Sequence, residues 1–112
     1  MKTETIAAIA TGMSNSGIGI VRISGDQAFE VIDRIYRNKK GQAGTLWDAK
    51  SHTAHYGYIY DGDERIDEVL VLIMRGPNSY TAEDTVEIDC HGGIRMVQRI
   101  LETVLHLSLI HI

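Results

Sequence analysis

The chain has 112 residues, of which 44% are hydrophobic and 23% are charged, and its formal net charge is -4. This length and balance are typical of one globular domain with a modest core. The acidic balance disfavours a free-standing nucleic-acid-binding module, which normally needs a basic surface to neutralise phosphates.

The single cysteine, Cys90, excludes an internal disulfide and fits a reducing compartment. No apolar run approaches the ~20 residues of a membrane span. The first residues lack the apolar run and small-residue cleavage site of a signal peptide. We therefore expect a cytoplasmic protein without membrane contact.

The first third of the chain predicts two strands and a helix. Thr5–Thr11 and Ile18–Ile23 are short apolar runs rich in β-branched residues, which favours strands. Ser24 and Gln27 have the spacing of a capping box and predict a helix over Asp26–Arg37. Its apolar face recurs at helical spacing and comprises Ala28, Val31, Ile32 and Ile35.

The middle of the chain predicts a loop and a hairpin. Gly41–Ser51 is polar, and we expect Trp47 to pin this loop to the body. His52–Tyr60 alternates like a strand, Asp61–Glu64 is a turn, and the unbroken apolar run Val69–Met74 predicts a central strand covered on both faces. Three tyrosines of the first strand share one face, either at an interface or under a helix: Tyr56, Tyr58 and Tyr60.

The last third predicts a strand and a second helix. Thr85–Cys90 alternates, and Ile94–Leu107 has a helical apolar face. The order β-β-α-β-β-β-α predicts an α+β fold, with a mixed five-stranded sheet and two main helices on one face. The apolar face of the second helix comprises Val97, Ile100, Leu101, Val104 and Leu105.

Two charged residues in strands are candidates for a site. Arg22 interrupts an apolar strand, and a buried guanidinium needs a carboxylate or an anionic ligand unless it reaches water. Glu87 shares a strand face with Asp89, and its carboxylate can accept two parallel hydrogen bonds, from an arginine or from the amino-pyrimidine edge of a pterin. The alternative for both residues is a solvated sheet face, which is the more common environment for a lone glutamate on a strand.

Other chemistry is not predicted. No phosphate-binding glycine loop occurs, and His52, His55 and His91 lack the spacing of a metal site, so we expect no metal. Cys90 falls on the apolar face of its strand and is interpreted as a small hydrophobe. No nucleophile–base pair is visible, so we expect no catalytic residues and no enzyme activity of this chain alone.

Two signatures resemble the MnmE (TrmE) family of tRNA-modifying GTPases. The first is Ile6–Thr11 followed by Gly17–Gly25. The second is Gly76–Thr81 with Glu83, Asp84, Glu87 and His91–Gly93. Together they cover about Thr5 to Glu102, so residues 1–105 are interpreted as the N-terminal domain of such a protein.

The resemblance implies a fold similar to the folate-binding domains of the glycine-cleavage T-protein type. It implies a homodimer and a site for 5-formyltetrahydrofolate or a related tetrahydrofolate, with Arg22 and Glu87 at folate-contacting positions. The alternative is a purely structural dimerisation domain that binds no ligand.

The resemblance also implies a larger parent protein. That parent would modify the wobble uridine of tRNA together with the flavoprotein MnmG, and folate would supply the one-carbon unit. GTP, Mg and K would belong to a GTPase domain that is absent from this chain. Residues 106–112 depart from the family pattern, and we interpret them as the tail of a truncated chain.

Overall fold

The computed structural model describes residues 5–10, 17–77, 82–91 and 93–107. Most of the predicted loop Gly12–Gly17 and residues 78–81 of the second signature lie outside these ranges. The elements in chain order are β1 (Ile6–Ile9), β2 (Ile18–Ser24), α1 (Ala28–Ile35), β3 (Tyr36–Asn38), β4 (Thr53–Asp61), β5 (Glu64–Met74), β6 (Thr85–His91) and α2 (Gly93–Leu105).

The predicted α+β class with two main helices is confirmed. In the described residues the sheet has six strands instead of five, in the order β1-β2-β6-β5-β4-β3. Every pairing between them is antiparallel, where a mixed sheet was expected. The additional strand is β3, which lies where the first helix was expected to continue.

Tyr36 explains why α1 ends early. Its backbone is extended, its side chain is 2% exposed, and its hydroxyl donates a hydrogen bond to the carbonyl oxygen of Tyr56 at 2.7 Å. Burial of this ring against β4, together with strand pairing, stabilises the extended backbone more than another helical turn would.

The start of α1 also differs from the prediction. Ser24 belongs to β2, and the cap residue Gln27 makes no side-chain capping hydrogen bond. The Gln27 backbone N–H instead donates to Oγ1 of Thr5 at 2.9 Å, so a distant side chain satisfies it. The predicted apolar face of α1 is confirmed, because all four of its residues are buried.

Both helices contribute to a core on one face of the sheet. Val97, Ile100 and Val104 of α2 are buried as predicted, whereas Leu105 is 38% exposed and lies outside the core. The strand residues of this core include Val21, Ile23, Val71, Ile73, Val86, Ile88 and Cys90.

The opposite face of the sheet has no covering layer among the described elements. β5 was expected to be covered on both faces, but Val69 is 2% exposed and its neighbour Leu70 is 40% exposed. The expectation was wrong because both helices pack on the same side. We call this surface the open face, and it includes Ile20, Arg22, Tyr56, Tyr58, Leu70, Leu72, Glu87 and Asp89.

Leu46 anchors the loop after β3, where Trp47 was expected to do so. Leu46 is 1% exposed and its N–H donates to Oδ1 of Asp33, whereas Trp47 is 55% exposed. Arg75 adds a second anchor, because its guanidinium donates to the carbonyl oxygens of Trp47 and Ala49. In the part of the chain that the structure describes, no helix has the length and apolarity needed to cross a membrane.

Candidate functional site

Arg22 and Glu87 lie directly opposite each other on paired strands. The register of β2 and β6 places their Cα atoms as partners on the open face. Cross-strand partners have Cβ atoms about 4.5–5.5 Å apart, which lets the two side chains meet. The structure thus brings together the two residues that the sequence singled out.

The contact is a charge-assisted pair to one carboxylate oxygen. Nε and Nη2 of Arg22 donate to Oε1 of Glu87 at 3.2 and 2.6 Å. No hydrogen bond from a described residue reaches Oε2 of Glu87. The arginine therefore occupies one oxygen, and the second remains an available acceptor.

The two partners differ in exposure. The Glu87 side chain is 8% exposed, whereas the Arg22 side chain is 37% exposed. On its other side Glu87 pairs with the half-buried Leu72 of β5. A desolvated carboxylate without a cationic neighbour would be costly, so Arg22 also stabilises the fold.

Asp89 adds a second carboxylate to the open face. It lies two residues beyond Glu87 on the same face, between Ile20 of β2 and Leu70 of β5. Its Oδ1 is buried and has no hydrogen-bond partner. Desolvation, and secondly the charge of Glu87, raise the pKa of the Asp89 carboxyl. The sequence showed the shared face, but nothing in it indicated the missing partner.

The tyrosine row, formed by Tyr56, Tyr58 and Tyr60 of β4, lies on the open face. The interpretation that a helix covers these rings was therefore wrong. Tyr56 and Tyr58 meet edge to face, with ring centroids 5.9 Å apart. The Arg65 guanidinium lies 3.8 Å from the ring centroid of Tyr58, and that of Arg37 lies 4.1 Å from Tyr60. These cations limit the exposed aromatic area of the row.

Cys90 is buried as expected and is 1% exposed. Its Sγ donates to the carbonyl oxygen of Gly19 at 3.5 Å, and burial raises its pKa to about 11. A thiol in this state is a poor nucleophile. Within residues 5–10, 17–77, 82–91 and 93–107, no group of three or more potential metal-binding side chains converges.

A second cleft was missed by the sequence reading. It has a volume of about 580 Å³ and is lined by residues that include Phe29, Trp47, Lys50 and Arg75. The Arg75 guanidinium stacks 4.4 Å from the centre of the Phe29 ring and also donates to backbone carbonyls. Because these contacts satisfy Arg75 internally, its main role is to fix the loop.

The fold and the paired charges define an α+β domain with a polar site on an open sheet face. Residues 5–111 match the family described as the GTP-binding protein TrmE N-terminus. The chain is 65% identical over 105 residues to the tRNA modification GTPase MnmE of Lachnoclostridium phytofermentans and 55% identical over 106 residues to that of Symbiobacterium thermophilum. Each alignment covers 94% of the chain.

The chain therefore belongs to the TrmE N-terminal family. It spans 23% of the length of each of these two relatives. The family match continues past residue 105 into the segment interpreted as a tail, and the boundary at residue 105 stays a prediction.

Proposed function

We propose that this chain is a tetrahydrofolate-binding and homodimerisation domain of a tRNA modification GTPase. The observation that carries the folate assignment is the pair on the open face, in which Arg22 holds Oε1 of Glu87 and leaves Oε2 available. A desolvated, oriented carboxylate is a strong acceptor for the N–H groups of an amino-pyrimidine ring.

The residues present fit the polar edge of a reduced pterin. Such a ring offers N–H donors along one edge and a flat apolar surface on each side. Glu87 and Asp89 supply acceptors, and Ile20, Leu70 and Leu72 supply apolar contacts on the same face. Small-molecule sites commonly combine a few placed polar groups with an apolar surround.

The larger reaction belongs to the proposed parent protein. The relatives are named tRNA modification GTPases, and a parent of that kind would bind GTP with Mg and K in a separate domain. It would act in the cytoplasm with the flavoprotein MnmG on the wobble uridine of tRNA, where a C5 (carboxymethyl)aminomethyl group is installed. Bound folate would supply the one-carbon unit.

Calorimetric titration with 5-formyltetrahydrofolate tests the folate assignment. Glu87→Ala removes the charged acceptor, and a lost charge-assisted contact weakens binding about 10- to 100-fold. Glu30→Ala is the matched control, because Glu30 is a partly exposed carboxylate on α1 that pairs with Arg34 at 3.5 Å. Equal affinity of the wild type and Glu87→Ala would remove Glu87 from the site.

The homodimer would use the β4–β5 half of the open face, so that the second copy borders the proposed ligand site, which shares Leu70 with this half. Tyr56 and Leu70 are 39% and 40% exposed there, next to an otherwise apolar central strand. A second copy would cover the face that β5 leaves without a layer. Sedimentation equilibrium should give twice the mass of the chain, and Leu70→Lys should shift the protein to monomer. A monomeric wild type at high micromolar concentration would refute this assembly.

A further inference from the structure

Asp89 is a polar residue whose position the fold does not explain. Its backbone belongs to β6, and its side chain points to the open face between two apolar neighbours, Ile20 and Leu70. Strand geometry separates it from Glu87 by ~6.6 Å along β6. This spacing is comparable with the long dimension of a bicyclic ring.

The Oδ1 atom of Asp89 is buried without a hydrogen-bond partner. Most buried polar side-chain atoms in native proteins are hydrogen-bonded, because a desolvated acceptor without a donor costs stability. Desolvation also raises the pKa of this carboxyl, in agreement with its geometry. An aspartate kept at this cost is typical of a functional site, where local stability is traded for binding.

The same residue borders a small cleft on the open face. The cleft has a volume of about 310 Å³, and its lining includes Ile18, Tyr56, Glu68, Leu70, Asp89 and His91. The Glu68 carboxylate is already bonded by the Tyr56 hydroxyl, and the His91 backbone N–H donates to Asp67. Asp89 is therefore the lining carboxylate that has a buried oxygen without a donor.

We propose that Asp89 is a second acceptor of the ligand site and that it reads the reduction state of the pterin. This inference rests on the proposed folate site at Glu87. In a tetrahydropterin, N8 carries a hydrogen and lies on the same edge as the 2-amino group. In a fully oxidised pterin, N8 has a lone pair instead, which would face a carboxylate oxygen repulsively.

The consequence is a preference for reduced folates over folic acid. With Glu87 holding the amino-pyrimidine end, the Asp89 carboxylate that borders the cleft accepts from N8–H of a reduced ring. The oxidised ring loses that hydrogen bond and places two acceptors against each other. Sites that hydrogen-bond a ligand N–H group discriminate well against analogues that lack it, because the buried acceptor is then left without a partner.

Titration of the chain with 5-formyltetrahydrofolate and with folic acid tests the inference. The test variants are Asp89→Leu, which removes the acceptor, and Asp89→Asn, which retains a carbonyl oxygen. We expect Asp89→Leu to weaken binding of the reduced ligand about tenfold, equivalent to one lost hydrogen bond, and to leave folic acid binding unchanged or improved. Asp89→Asn should fall between the wild type and Asp89→Leu. Asp48→Asn, on an exposed loop residue, is the control for charge alone.

Thermal unfolding of the ligand-free variants distinguishes a binding role of Asp89 from a structural role. Removing an unsatisfied buried carboxylate should raise the melting temperature of Asp89→Leu above that of the wild type. A structural aspartate would show the opposite change. A lower melting temperature in both Asp89 variants, or an Asp89→Leu chain that fails to fold, would overturn the inference.

The outcomes separate this inference from the folate assignment itself. If Glu87→Ala weakens binding but both Asp89 variants bind reduced and oxidised ligands like the wild type, Asp89 is not in the site and the folate assignment stands. If neither Glu87 nor Asp89 substitutions change binding, both proposals fail. If the wild type binds 5-formyltetrahydrofolate and folic acid with equal affinity, Asp89 does not distinguish the reduction state of the ring. That result would leave the folate assignment itself untouched.

Discussion

Replacing Arg22 and Glu87 one at a time should lower the free energy of unfolding by unequal amounts. Arg22→Met leaves the Glu87 carboxylate, 8% exposed, without its cation. A buried charge that loses its partner is strongly destabilising, and the partial access to Oε2 reduces the cost, so we expect about 2–3 kcal/mol. Glu87→Gln keeps an acceptor for Arg22, whose side chain is 37% exposed and reaches water. That change should cost about 1 kcal/mol or less.

Urea denaturation followed by circular dichroism measures this difference. With a slope of about 1–3 kcal/mol per molar urea, the midpoints of the two variants should differ by about 0.5–1.5 M. The control is Arg34→Met, because the exposed Arg34–Glu30 pair on α1 has a contact of 3.5 Å and should contribute at most about 0.5 kcal/mol. A Glu87→Gln variant as unstable as Arg22→Met would show that the carboxylate is not the desolvated member of the pair.

Three further predictions concern the body of the domain. Gly57→Ala should destabilise the domain at the top of the ~1–3 kcal/mol range for overpacking, because the added Cβ would lie 2.4 Å from the carbonyl oxygen of Arg37 and 2.5 Å from the Tyr36 ring. The control is Gly17→Ala, whose Cβ would meet nothing within 4 Å and which should change the urea midpoint little. The Cys90 thiol should resist Ellman's reagent at pH 8 in the native protein and react rapidly in urea, since it is 1% exposed and its pKa is about 11. The free energy of unfolding should fall as pH rises from about 9 towards 11, because the thiol of the unfolded chain, with its ordinary pKa of 9.0, loses its proton first. Fast labelling of the native protein, or a flat pH profile that matches Cys90→Ala, would contradict this.

The spacing of apolar residues predicted the features of the fold that depend on a single helix, strand or turn. The apolar face of α1 and the core-facing set Val86, Ile88 and Cys90 of β6 follow from the spacing of apolar residues, and both are confirmed. The hairpin turn is confirmed because Gly62 adopts the positive φ of 63° that a tight turn favours. These features are encoded within a few residues of chain.

The corrected predictions share a physical cause. β3 forms because Tyr36 is buried against β4, which is distant in sequence, and the start of α1 is satisfied by Thr5 instead of a local capping box. Leu46 is buried while its neighbour Trp47 is exposed, and this choice depends on the shape of the core surface. Local propensity cannot anticipate such contacts, because tertiary packing outweighs differences of a few tenths of a kcal/mol per residue.

The sequence by itself determined the α+β class, the family and the two residues most suited to a ligand site, because these depend on residue type, spacing and motif order. Only the tertiary structure decided that Arg22 and Glu87 are cross-strand partners, that one carboxylate oxygen stays available, and that Asp89 lacks a donor. Pairing between strands far apart in sequence sets these distances and exposures. A hydrogen bond depends on both, and neither can be read along a single segment of chain.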